Sequence, residues 1–307
     1  MTATAVLICG HGSRDPEAIR EFELLAAALR PRLREFAFAT GYLEFARPTI
    51  RDALAGLAEQ GARRILAIPG MLFAASHVKN DLPWEVNSFA AENPQIEIRL
   101  GRDLAIDPRL LQAAAARIAA AGEGGVPRQD TLLLVVGRGT NDPDANSNIA
   151  KIARMLWEGM GFGWAEAAFS GVAHPRVGAA LARAARLGFR RIIVFPYFLF
   201  TGVLVKRIYR ETDTAARLFP DIAFAKAPYL RDHAAVLEAF CARIAELLDG
   251  QPAMNCQLCK YRTRIIGYEH EAGLPQRAHH HHVRGIGTDG DPHHPHDHPH
   301  PHPHSDR

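Results

Sequence analysis

The sequence predicts an α/β protein of two tandem repeated domains, each a parallel sheet of about four strands flanked by helices, followed by a disordered histidine-rich tail. Three observations carry this. A shift of 127 positions lays 10-GHGSRDP-16 on 137-GRGTNDP-143, and 47-RPTIRDALAGLAEQGARRI-65 on 174-HPRVGAALARAARLGFRRI-192. Short aliphatic runs alternate with stretches of helical period through both halves. Beyond about Gly250 the composition changes, and the chain ends in histidine, proline and aspartate. The repeats are placed at residues 1–125 and 128–250, with residues 251–307 as the tail.

In the first half, strands are expected at residues 5–10, 38–45, 64–69 and 96–100, each short, aliphatic or aromatic, and bounded by Gly or Pro. Asp15 before Pro16 predicts the cap of the first helix, and Asp142 before Pro143 that of its counterpart. After Pro48, a residue suited to a first helical turn, Ile50, Leu54 and Leu57 recur at helical spacing. The segment 104-LAIDPRLLQAAAARIA-119 matches 230-LRDHAAVLEAFCARIA-245 with one residue of slippage. Strands alternating with helices imply right-handed crossovers, and hence a parallel sheet covered on both faces.

Composition narrows the function classes. With 48% hydrophobic and 22% charged residues in 307, the chain has ordinary globular composition and length enough for two domains. No apolar run approaches the roughly 18–20 residues that cross a bilayer, and no leader pattern opens the chain, so a cytoplasmic protein is expected. A net charge of +3 without a dense basic stripe argues against nucleic acid and leaves room for an anionic small molecule. Of four cysteines, Cys9 and Cys241 fall inside expected elements as ordinary buried thiols, and Cys256 and Cys259 form a CxxC pair.

In open parallel sheets, ligands bind beyond the carboxyl ends of the strands. That rule selects His11 after the first strand, Glu44 at the end of the second and His77 shortly after the third. Two imidazoles and a carboxylate suit a divalent transition metal. Taken singly, each is more simply a polar loop residue. The repeat supplies a control, because the aligned positions hold Arg138, Gly171 and Leu204, whereas Gly10, Gly12, Asp15, Pro16, Pro48, Gly61, Pro69 and Lys79 have identical counterparts. The scaffold was kept and the donors were not. Phosphate binding at the Gly-X-Gly turn is disfavoured, since neither GHGSRD nor GRGTND supplies a third glycine and no GxxxxGK[ST] motif occurs.

The opening LICGHGSRDPEA, the histidine in GMLFAASHVKNDLP, the duplication, and MNCQLCKYR before a histidine-rich tail resemble the long, two-repeat form of sirohydrochlorin cobaltochelatase, within the class II chelatase superfamily. The likeness covers nearly the whole chain. It implies ATP-independent insertion of Co2+ into sirohydrochlorin, in cobalamin biosynthesis. His11 and His77 then match the family's metal-handling histidines, and Glu44 its accessory carboxylate. The second half lacks all three, which implies one active site per chain. Neutral imidazoles, with an unperturbed pKa of about 6.5, can ligate the ion loosely and then accept pyrrole protons. Sirohydrochlorin carries many carboxylates, so Arg14, Lys79, Arg138, Lys206 and Arg207 are candidates for binding it.

The resemblance associates the CxxC pair with an iron–sulfur cluster, whose remaining ligands would come from a homodimer partner or elsewhere. A zinc site completed by tail histidines, or a redox thiol pair, is the competing reading of Cys256 and Cys259. Residues 279–304 hold eleven of the sixteen histidines and read as a metal store or delivery arm. Two rival functions share these features: a chelatase for iron or nickel, and a non-enzymatic cobalt or nickel storage protein. Donor type alone does not choose among such ions.

Overall fold

Each half forms its own four-stranded parallel sheet in this computed structural model, which describes residues 3–122 and 124–250. In the first, β1 (Thr4–Gly10), β2 (Ala37–Tyr42), β3 (Arg64–Pro69) and β4 (Glu97–Leu100) lie in the order β2-β1-β3-β4. They alternate with α1 (Pro16–Leu29), α2 (Ile50–Glu59), α3 (Leu82–Glu92) and α4 (Pro108–Ala119). In the second, β5 (Thr131–Gly137), β6 (Trp164–Phe169), β7 (Arg191–Pro196) and β8 (Ala223–Lys226) repeat that order as β6-β5-β7-β8. Their helices are α5 (Pro143–Met160), α6 (Val177–Ala184), α7 (Val203–Leu218) and α8 (Ala234–Leu248). The register obeys the same shift: Val6 pairs with Phe38 and Leu66, and Leu133 with Ala165 and Ile193. Cys256, Cys259 and the histidine-rich tail lie outside the described residues.

The period-two alternation of a strand sorts the core into three parts. Ala5, Leu7 and Cys9 face an outer cluster with α2 and α3, and Leu132, Leu134 and Val136 face its counterpart with α6 and α7. Val6 and Ile8 point the other way, into a single cluster that also contains Leu133 and Val135. That cluster joins the halves. It is built from α1, α4, α5 and α8, with α4 packed on α8 and α5, and α8 packed on α1 and β3. Burying a Leu or Ile side chain contributes about 1.5–3 kcal/mol, so a joint lined by such residues holds the two sheets as one body.

A buried arginine is embedded in that joint. Arg243 of α8 is 1% exposed and donates to the carbonyls of Asp103 and Leu104 at 2.9 and 2.6 Å. It also reaches Asp107 at 3.2 Å and Glu246 at 2.7 Å. Its counterpart Arg117 of α4 reaches the Leu230 carbonyl of the other half, at 3.0 Å, from a half-buried position.

Two local expectations are revised. The second strand ends at Tyr42 rather than at residue 45, because the chain leaves the ladder there: Leu43 and Glu44 donate instead to the Gly10 and His11 carbonyls, and Phe45 takes a positive φ of 61°. Pro48 precedes the cap rather than occupying the first turn of α2, since Thr49 and Asp52 form a reciprocal capping box. Asp15 and Asp142 cap α1 and α5 through their side chains, as the Asp-Pro pairs predict. Among the described residues, no helix is long and apolar enough to cross a membrane.

Candidate active site

The carboxyl end of the first sheet brings His11, Glu44 and His77 together. His11 follows β1, and the Glu44 N–H donates to the His11 carbonyl at 3.1 Å, which fixes the two loops side by side. Gly12 makes that approach feasible. Its φ is +91°, and a Cβ there would lie 1.6 Å from the Glu44 carbonyl oxygen, so a side chain at this position would drive the loops apart. His77 opens a π-helical turn, His77–Asp81, that leads into α3. Such turns are rare and favour functional sites.

Each histidine is oriented by a hydrogen bond through the same ring nitrogen. Nδ1 of His11 donates to the Gly12 carbonyl at 2.9 Å, and Nδ1 of His77 donates to the Asp81 carboxylate at 2.6 Å. Both rings are thereby left with the lone pair on Nε2, the tautomer of a metal-binding imidazole with an outer carboxylate or carbonyl. The rings meet edge to face with centroids 4.7 Å apart, and His11 Nε2 lies 3.4 Å from Glu44 Oε1. His11 Nε2 is buried and makes no hydrogen bond.

The electrostatics of the cluster favour neutrality. Burial, then the nearby charges of His77 and Arg138, lower the pKa of His11 to about 3. Burial raises Glu44 to about 7, against the pull of His77 and Arg138. The His11–Glu44 contact is therefore no ion pair near pH 7, because the His11 ring is neutral there. This alters one expectation: His11 is a much weaker base than a free imidazole, because its ring is desolvated, and Glu44 titrates closer to neutrality.

A donor atom from each residue lies within 4.8 Å of the other two. Ligand atoms about 2.1 Å from one ion stand roughly 3–4.2 Å apart, so closure by less than about 1 Å would let the three share a cation. Three protein donors would leave coordination positions open on such an ion.

The candidate cations divide sharply. Lys79 reaches across to Asp142 and Asp144 at 2.6 and 3.0 Å, and Lys206 reaches back to Asp15 and Glu17 at 2.8 and 3.0 Å. These reciprocal pairs bridge the two halves. Arg207 donates to the Ser170 carbonyl at 2.9 Å, and Arg14 stacks over the Phe45 ring at 4.8 Å. Arg138 alone of the five acts on both His11 and Glu44. The reading by residue type missed Asp81, although its spacing of four from His77 in HVKND and its apolar counterpart Ile208 were both visible.

The family model CbiX matches residues 5–121 and again 132–247. The chain belongs to the CbiX family. Within it, the sirohydrochlorin cobaltochelatase of Priestia megaterium is 34% identical over 85% of this chain and 86% of its own. The sirohydrochlorin ferrochelatase of the same organism is 33% identical over 68% of this chain and 78% of its own. Among solved structures, SirB from Bacillus subtilis with Fe3+ is similar with a TM-score of 0.73 and 27% identity, covering 82% of this chain and 99% of SirB. The CbiX repeat thus accounts for both sheets, and the cluster of His11, Glu44 and His77 lies in the first copy.

Proposed function

We propose that this chain is a sirohydrochlorin chelatase that inserts Co2+ into the macrocycle without ATP, using one active site in its first repeat. The convergence of His11, Glu44 and His77 at one sheet edge supports this reading most directly. In it, the three side chains take the divalent substrate ion from water, hold it loosely through neutral nitrogen and carboxyl oxygen, and receive the two pyrrole N–H protons released on insertion. His77 is kept in the ligating tautomer by Asp81, and His11 by the Gly12 carbonyl. Thiolates, which would retain the ion, are absent from the cluster.

Iron is the second reading, favoured by relatives of both preferences at nearly equal identity. The deciding assay is anaerobic: purified full-length protein with sirohydrochlorin and Co2+, Ni2+ or Fe2+, followed by absorption. The expected result is fastest conversion with cobalt. Faster conversion with iron would move the chain to the ferrochelatase reading. Failure to bind the metal-free tetrapyrrole at all would leave a metal-storage protein.

A further inference from the structure

The first strand of each half ends in the same Gly-X-Gly turn, with His11 in one and Arg138 in the other. These turns confront each other. Asp15, shortly after His11, holds Lys206 of the second half, and Asp142, shortly after Arg138, holds Lys79 of the first. Arg138, from the second half, comes near enough to act electrostatically on both His11 and Glu44 of the first. It is exposed, and its side chain makes no hydrogen bond and no ion pair among the described residues. Five N–H donors in a rigid planar fork are left for a ligand.

The edge around that fork is apolar. Where the first half carries Glu44 and His77, the second carries Gly171 and Leu204, with Val172 and Val203 beside them 57% and 60% exposed. Gly171 also lets its loop come nearer, its N–H meeting the Arg138 carbonyl at 2.5 Å where Glu44 stands at 3.1 Å. A cationic fork in an exposed apolar edge complements a flat apolar ring with carboxylates on its rim.

We propose that Arg138 is the specificity-determining cation of the cleft, binding a carboxylate of the tetrapyrrole and so positioning the ring over the three donors. The proposal rests on the chelatase reading above. On this view the second repeat exchanged metal donors for a substrate-holding wall.

The test uses the full chain with Arg138→Met and Arg138→Lys, following the affinity for metal-free sirohydrochlorin, the affinity for Co2+ alone, and the kcat and KM of insertion. Arg138→Met should raise the tetrapyrrole Kd and KM about tenfold or more, leave kcat within about twofold and leave Co2+ binding undiminished. Arg138→Lys should recover part of the loss, since a point charge lacks the fork. The penalty should vanish with the fully esterified macrocycle, which has no carboxylate to bind. Unchanged Kd with a reduced kcat, or an equal penalty on the ester, would overturn the assignment. Wild-type protein that binds and metallates the substrate while Arg138→Met binds it equally well defeats this inference alone. Wild-type protein that does not bind the tetrapyrrole defeats the chelatase reading and this inference together.

Discussion

The carboxyl edges of the two sheets share a backbone plan and differ in chemistry. The first presents His11, Glu44, His77 and Asp81, and the second presents Arg138, Gly171, Leu204 and Ile208 in the aligned places. The strand order, the register and the capping aspartates agree between them. The third loop does not, because the first half enters its helix through a π turn at His77–Asp81, whereas α7 starts directly at Val203. On the proposed reading, the donors are additions to the fold rather than supports of it. A residue required by packing would have been needed twice.

The largest test of that contrast replaces donors and leaves the scaffold intact. His11→Ala or His77→Ala should lower metal insertion by about 10³-fold or more, with a melting temperature near that of wild type. Normal insertion kinetics in either variant would remove that residue from the site. The joint should respond the opposite way. Arg243→Met leaves two buried carbonyls without their donor and removes one of the two arginines at Asp107, which keeps Arg109, and should cost about 2–4 kcal/mol in denaturant unfolding, whereas Arg117→Met, half-buried on one carbonyl, should cost about 1 kcal/mol. Equal losses would mean that the asymmetry of the two arginines has no energetic consequence.

Smaller effects sharpen the same comparison. Asp81→Asn, which weakens the bond that sets the His77 tautomer, should reduce Co2+ affinity about 10–100-fold, an effect visible by calorimetry without any tetrapyrrole. Glu44→Gln should show the reverse of a structural loss. Glu44 titrates near 7 when folded and near 4.5 when exposed, so the folded state binds the proton more tightly, and ionising the buried carboxyl lowers stability as pH rises between those values. The glutamine variant should therefore be more stable than wild type at pH 8, by about 1–2 kcal/mol after screening at the cleft mouth, and should lose that gain below about pH 4.5. A gain that did not depend on pH would point to packing instead.

Much of the site was legible because it lies on a duplicated background. His11, Glu44 and His77 stood out against Arg138, Gly171 and Leu204 without any structure. Asp81 was missed because a carboxylate in HVKND reads as helix surface until the π turn sets it against His77. Lys79 and Lys206 were grouped with the substrate-facing cations because sequence shows charge but not its partner. Their acidic partners lie in the opposite half, at Asp142 and Asp15.

The sequence by itself determined the repeat, the strand and helix order, the caps at Asp15 and Asp142, and the three side chains that stand out against the second repeat, because periodicity, turn chemistry and self-alignment are local properties of the chain. Tertiary structure alone decided that α8 packs on β3 and α1 of the first half, that paired lysines bridge the halves, and that burial lowers the pKa of His11 and raises that of Glu44. The reason is physical: pairing across the halves and desolvation depend on which surfaces meet, and a linear pattern records the surfaces without recording their meeting.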